Sequence, residues 1–338
     1  MRKQVVLVTG VNGEIGHSLV AHLAENDNCD VIGLDVMPID DSIQQYLFKF
    51  IQGDILDQML LGRLVAEYEI RSIIHLASIL STKAEYNPET AHRVNVEGTL
   101  NLLRLAVEQA TWQGKSVKFI YPSSIAAYGI PSLEIKQQLG PVTEDQWLMP
   151  TTIYGCNKLY CEHLGRYYSN FYKQLAADQT KYTIDFRGLR FPGLISAVTV
   201  PTGGTSDYGP DMLHHAAQNI PYACFVRPDS VMPFMVMPDA VKSILLLEEI
   251  ERNQLSQLVY NVTSFSASAE KLKEITLDAF PNAEISFAVD QKRQHIVDTW
   301  PAEIDDKAAR KDWNWKPDFD MIQSFKEYII PGVKNRYN

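Results

Sequence analysis

Tyr154 and Lys158 stand four residues apart in Tyr154-Gly155-Cys156-Asn157-Lys158, a stretch that reads as helix, so the two side chains share one helical face. An ammonium beside a phenol favours phenolate and draws the tyrosine pKa down. That would make Tyr154 a general base for an alcohol. Upstream, Tyr121-Pro122-Ser123-Ser124 closes an apolar run. A hydroxyl there, on Ser124, could hydrogen-bond the reacting oxygen, although a serine at a strand end also suits a turn or a cap.

A second constellation is suited to phosphate. Thr9-Gly10-Val11-Asn12-Gly13-Glu14-Ile15-Gly16 follows one apolar run and opens a helical pattern. Gly10 would permit the tight turn, Gly13 the approach of a pyrophosphate, and Gly16 close packing of helix on strand. The helix N-terminus adds amides and positive dipole. The spacing is G-x-x-G-x-x-G, not G-x-G-x-x-G. Asp35 ends the next apolar run, where a carboxylate accepts ribose hydroxyls and repels a 2′-phosphate, so NAD is expected over NADP. Asp54, in Gly53-Asp54-Ile55, suits either the adenine amino group or the N-cap of a helix starting at Ile55.

These residues need a frame. Val5–Val8, Val31–Leu34, Ile73–Leu76, Val117–Tyr121 and Ile184–Leu189 are short apolar runs without polar alternation. Such runs suit strands buried on both faces of a parallel sheet. Helical patterns between them (Ile15, Leu19, Val20, Leu23; Val94, Leu102, Leu105, Ala106) argue for βαβ units. The expected fold class is α/β: a doubly wound Rossmann domain over residues 1–190 and a smaller substrate domain over 191–338, with part of 236–262 returning to the first. Ser196–Tyr208 reads as a long functional loop, Asp239–Glu249 as a helix and Val259–Val262 as a strand. Trp300, Trp313 and Trp315 are expected in the core of the second domain.

Composition removes other classes. The 338 residues are 46% hydrophobic, and 31 Lys+Arg against 41 Asp+Glu leave a net charge of −10. Nucleic acid and anionic membrane both need a basic face, so neither is an expected partner. No run of ~18 apolar residues occurs. Cys29, Cys156, Cys161 and Cys224 form no C-x-x-C pair and read as free, mostly buried thiols. His214 and His215 lack companions, and no metal site is expected. Neither a signal peptide nor a transit peptide opens the chain, which points to a cytoplasmic protein and leaves open a removed organellar presequence.

Taken in order, the glycine turn, the acidic ribose partner, the strand-end serine and Y-x-x-x-K resemble the extended short-chain dehydrogenase/reductase family over the whole chain. His75-Leu76-Ala77-Ser78 and Arg93-Val94-Asn95-Val96-Glu97-Gly98-Thr99 strengthen the resemblance. It implies a triad of Ser124, Tyr154 and Lys158, with Asn95 holding local helix geometry and Lys158 also meeting the nicotinamide ribose. The expected NAD site adds Asn12, Glu14, Ile15, Ile55, Leu76, Ala77 and Leu194 to the residues above. His75 is read as structural.

Within the family, Gly203-Gly204-Thr205-Ser206-Asp207-Tyr208, Asp298-Thr299-Trp300-Pro301 and Asp312-Trp313-Asn314-Trp315 look like the short-chain-type L-threonine 3-dehydrogenases. Cys156-Asn157 and the Gln137–Gln146 insert depart from that pattern. The likeness implies oxidation of L-threonine by NAD to 2-amino-3-oxobutyrate, and a homodimer formed through the helices holding Asn95 and Tyr154. Ser81, Ser124, Tyr154, Arg190, Thr205 and Ser206 are the expected substrate contacts. Arg190 would offer a two-point charge contact or be tied into the fold, and Ser81 a contact or a loop cap. The nearer rival is a nucleotide-sugar epimerase or dehydratase, which needs cations for a diphosphate; Arg190, Arg227 and Arg293 are the candidates. The farther rival, a non-catalytic NAD sensor, would have lost part of the triad.

Overall fold

The computed structural model describes residues 2–26, 29–178, 182–201 and 203–337. The five apolar runs form β1 (Lys3–Thr9), β2 (Asp30–Asp35), β4 (Tyr68–His75), β5 (Val117–Ser124) and β6 (Ile184–Phe191); β3 (Lys49–Gln52), a partly exposed strand outside those runs, lies between β2 and β4 in the chain, and α1 (Glu14–Asn26) follows β1. The remaining strands are β7 (Gly193–Ile195), β8 (Tyr222–Cys224), β9 (Val231–Val236), β10 (Val259–Asn261), β11 (Phe265–Ser268) and β12 (Ile285–Phe287). A seven-stranded parallel sheet is ordered β10-β6-β5-β4-β1-β2-β3. The expected α/β, doubly wound architecture is therefore present.

Both faces of this sheet are covered. Val5 and Leu7 of β1 face one apolar layer, shared with the helix Gly98–Gln113. Val6 and Val8 face the other, shared with α1 and the helix Met237–Glu249. Burial on both sides is why these strands carry no polar alternation. The strand order reverses between β1 and β4, and ligands of open α/β sheets bind at such a switch point, beyond the carboxyl ends of the strands.

The rest of the chain builds a smaller lobe from the sheet β11-β9-β7, the pair β12-β8 and the helix Tyr208–Ala217. The chain does not stay there: the helix Met237–Glu249 packs on the large sheet and β10 extends its edge. Trp313 and Trp315 return with them. They pack beside Tyr260 in the large-sheet layer, not in the second lobe as expected, and only Trp300 joins the smaller lobe's core. The Gln137–Gln146 insert ties the lobes together: Val142 N–H donates to Glu303 O at 3.0 Å, and Asn261 N–H donates to Glu144 Oε1 at 3.0 Å. None of the four cysteines is in a disulfide; Cys161 and Cys224 are buried, Cys29 is half-buried, and Cys156, against expectation, is exposed. Among the described residues no group of side chains could hold a metal, and no helix is long and apolar enough to cross a membrane.

Candidate active site

The turn between β1 and α1 opens onto a cleft of about 270 Å³ between the lobes. Gly10 has φ +69°, and a Cβ there would lie 2.5 Å from Ala77 N, so only glycine fits this crossing of the two strand ends. A Cβ on Gly16 would lie 2.3 Å from Val11 O, which is the close helix–strand packing expected of the third glycine. Gly10, Gly13, Glu14, Ile15, Gly16, Leu76 and Leu194 all line the cleft. Asp35 ends β2 with its carboxylate held by two backbone donors, Asn12 N–H at 3.0 Å and Met37 N–H at 3.0 Å. Asn12 stitches the following loop through Pro38 O and Asp40 N–H. This cradle fits a dinucleotide: a phosphate-wide turn at a helix N-terminus, with a fixed carboxylate at the next strand end.

Other expected members lie one step back. Asn95 is buried and does not line the cleft. Its Oδ1 accepts Ile79 N–H at 2.7 Å and its Nδ2 donates to Ile79 O at 3.0 Å, so it fixes the loop after β4. Asn95 sits in a π-helical turn, Arg93–Glu97, that interrupts the helix. Ile55 is buried against Gly98. Asp54 is exposed and accepts Leu56 N–H; the helix there begins at Gln58 and is capped by Asp57, so Asp54 is not its N-cap. His75 belongs to a buried chain. Thr99 Oγ1 donates to Asn95 O, so it accepts from His75 Nε2–H, and Nδ1 accepts from Thr9 Oγ1 at 2.8 Å. Burial lowers His75 to about 3, so it is neutral, as its structural reading requires.

Ser124, Tyr154 and Lys158 line the same cleft. The helix Ile153–Asn170 is started by Thr152, whose hydroxyl accepts Gly155 N–H, and Gly155 itself lets the helix approach Ala126 O. Tyr154 thus comes close enough to the Ser124 hydroxyl for that hydroxyl to favour its phenolate. Lys158 Nζ donates to Pro122 O at 2.7 Å and lies 5.5 Å from the Tyr154 ring centre. Electrostatics differ from the expectation at one point. Burial pushes the Tyr154 phenol well up from its ordinary value and the Ser124 hydroxyl offsets only part of that. Burial also lowers Lys158, to about 8. In this cleft desolvation outweighs the pull of the ammonium on the phenol.

The substrate side departs further from expectation. Arg190 does not face the cleft. It is buried on β6, with Nε to Glu162 Oε1 at 2.9 Å, Nη2 to Glu162 Oε2 at 2.6 Å, and Nη1 to Tyr128 Oη and to Glu144 O. No donor pair is left for a substrate carboxylate. Thr205 is also buried, and its N–H and hydroxyl both donate to Ser81 Oγ, at 3.1 and 3.0 Å. Ser81, Ser206 and Ser124 do line the cleft. So do Asp207, Met232 and Trp300, which sequence reasoning did not place there, although Asp207 and Trp300 lie inside motifs it quoted. Glu162, one turn beyond Lys158, was missed because nothing local marks a buried carboxylate on an amphipathic helix.

Comparison with known proteins agrees with this geometry. Residues 6–263 match the NAD dependent epimerase/dehydratase family. The chain belongs to that family. It is 35% identical over 321 residues to the mitochondrial L-threonine 3-dehydrogenase of Bos taurus, covering 94% of this chain and 80% of that one. A monomeric L-threonine 3-dehydrogenase from a metagenome is 34% identical and superposes with a TM-score of 0.84, covering 99% of this chain and all of the other. The L-threonine dehydrogenase of Clostridium difficile is 31% identical with a TM-score of 0.85, covering 100% and 99%. As a member of the epimerase/dehydratase family the protein takes a nucleotide cofactor. One of these relatives is described as monomeric, so the expected homodimer is not a property they share.

Proposed function

We propose that this family member oxidises the 3-hydroxyl of L-threonine with NAD, giving 2-amino-3-oxobutyrate and NADH. The observation that carries the reading is the convergence of Ser124, Tyr154 and Lys158 on one cleft with the Gly10-Gly13-Gly16 turn. The similarity to L-threonine 3-dehydrogenases over nearly the whole chain supports the substrate. Asp35 supports NAD over NADP, because its fixed carboxylate would meet a 2′-phosphate.

Gly10, Gly13, Gly16 and Asp35 would hold the dinucleotide, which supplies the hydride acceptor when bound. Ser124 orients the reacting oxygen, and Tyr154 takes its proton. For that Tyr154 must reach the phenolate, against its burial; the Lys158 ammonium on the same helix face supplies the compensating charge. Ser81 and Ser206 offer hydroxyls to the amino acid. In this reading Leu76 and Leu194 pack against the cofactor, Ala77 and Asn95 position its loop, and residues 1–190 with 237–261 form its domain. A homodimer would use the exposed Trp112, Tyr160 and Tyr167 on the helices Gly98–Gln113 and Ile153–Asn170.

The epimerase reading needs free cations for a diphosphate. Arg190 is paired with Glu162, Arg227 with Asp298 and Asp229, and Arg293 stacks on Phe225 while donating to Gly204 O. Lys158 is the one cation among the described residues lining the cleft. A panel of candidate alcohols with NAD, followed by absorbance of the reduced cofactor, tests the proposal. Reduction with L-threonine is expected; no reduction with it, or interconversion of UDP-sugar epimers, would overturn it.

A further inference from the structure

Glu14 is the first residue of α1, between the second and third glycines of the turn. That is the end of the helix where unpaired amides and the dipole favour an anion. The Glu14 side chain nonetheless meets no cation. It lines the cleft together with Asp207, which arrives from the other lobe and is held by the N–H groups of Gly203 and Gly204. Among the described residues no donor or positive charge offsets the Glu14 carboxyl; burial and the Asp207 carboxylate both act against its charge and raise it to about 7.

Other titratable groups nearby do not change this balance. Tyr328 faces Glu14 from the C-terminal helical segment, its hydroxyl accepting Ala197 N–H. His17, one turn along α1, is turned to Asp40 at 3.3 Å. Lys158 lines the same cleft but spends a donor on Pro122 O. Arg293 stacks on Phe225, donates to Gly204 O and acts on Asp211, which lies behind Asp207.

A pyrophosphate at the α1 N-terminus would add two more negative charges to this uncompensated corner. An ionised Glu14, half-buried in the cleft wall, would face them as a like charge and be repelled. A protonated Glu14 has one O–H donor and no charge, which converts the same contact into a hydrogen bond. We propose that Glu14 meets the cofactor pyrophosphate as a neutral carboxylic acid that donates to a phosphate oxygen, so that each dinucleotide bound takes up a proton from solvent. This rests on the dinucleotide reading of the cleft and deepens it.

The sign follows from linkage. The bound anion raises the pKa of Glu14 further, so the complex holds a proton that the free protein loses above about 7. Affinity therefore falls as pH rises through 7, by up to about tenfold per unit.

Calorimetric titration of the protein with NAD from pH 6 to 9 tests this. The dissociation constant is expected to weaken by roughly 50–100-fold across that range, the consequence of one proton released near pH 7. Titrations at pH 8.5 in phosphate and in Tris, which differ in ionisation enthalpy, are expected to report close to one proton taken up per NAD. Glu14→Gln keeps the shape and a donor without the titration. It should lose most of the pH slope and bind NAD more tightly than the unaltered protein at pH 9. Normal NAD binding without proton uptake, or a wild-type slope in Glu14→Gln, overturns the proposal while leaving the cofactor reading intact. No NAD binding at any pH overturns both. If Glu14→Gln does not fold, the two-buffer proton count on the unaltered protein decides alone.

Discussion

Arg190 and Glu162 form a two-point ion pair, with Nε to Oε1 at 2.9 Å and Nη2 to Oε2 at 2.6 Å, directly behind the cleft. Ser123, which lines the cleft, donates its hydroxyl to the same carboxylate. The pair is buried on both sides. Arg190→Met would leave Glu162 buried without its partner, a loss of ~3–5 kcal/mol for a broken buried pair. Urea unfolding should show that loss, with the KM for threonine little changed in the folded fraction. A loss under ~1 kcal/mol together with a large rise in KM would return Arg190 to the substrate side.

Asp35 is held by two backbone amides at the end of β2. Asp35→Ala should weaken NAD and relieve the repulsion of a 2′-phosphate, so the ratio of kcat/KM for NAD over NADP should collapse. Equal use of both cofactors by the unaltered protein would remove Asp35 from the ribose site.

Tyr154→Phe deletes the hydroxyl that meets Ser124 and keeps the ring. Turnover should fall ~10²–10⁴-fold, the usual worth of a positioned proton acceptor, while NAD affinity stays near its starting value. Retained turnover would mean that another group takes the proton.

Thr205 acts through Ser81, because both of its donors end on Ser81 Oγ. Thr205→Val removes one neutral hydrogen bond, worth ~0.5–1.5 kcal/mol. KM for threonine should therefore rise only ~2–10-fold. Ser81→Ala should do at least as much, and the double variant should cost less than the two singles combined, since they share one contact. Additive effects would separate the two residues.

His75 is neutral in the fold, held near 3 by burial, against an ordinary value of 6.5. The unfolded chain therefore binds one more proton than the folded chain between these values, and stability falls as pH drops from 6.5 towards 3. At pH 4.5 this one group should cost roughly 3 kcal/mol relative to neutral pH. His75→Gln removes that titration, so its urea midpoint should fall less steeply between pH 7 and 4.5 than that of the unaltered protein. Parallel falls would show that carboxylates alone set the acid sensitivity.

Much of this protein is readable along the chain because its chemistry is locally encoded. The turn needs glycines at Gly10, Gly13 and Gly16 whatever surrounds them, and four-residue spacing places Tyr154 and Lys158 on one helical face. Strands buried on both sides announce themselves as unbroken apolar runs. That same burial hides the direction of individual side chains. In β6 the run from Phe186 to Phe191 is buried throughout, arginines included, so no polar alternation says which face Arg190 takes. Only the packing of β6 against the helix Ile153–Asn170 turned it to Glu162 and away from the cleft. Trp313 and Trp315 joined the large sheet for a similar reason: the returning β10 carried Tyr260 to meet them. The approach of Glu14 to Asp207 spans almost two hundred residues and two lobes, and no periodicity records it; it exists because β1 and the Gly203–Asp207 loop end at opposite walls of one cleft.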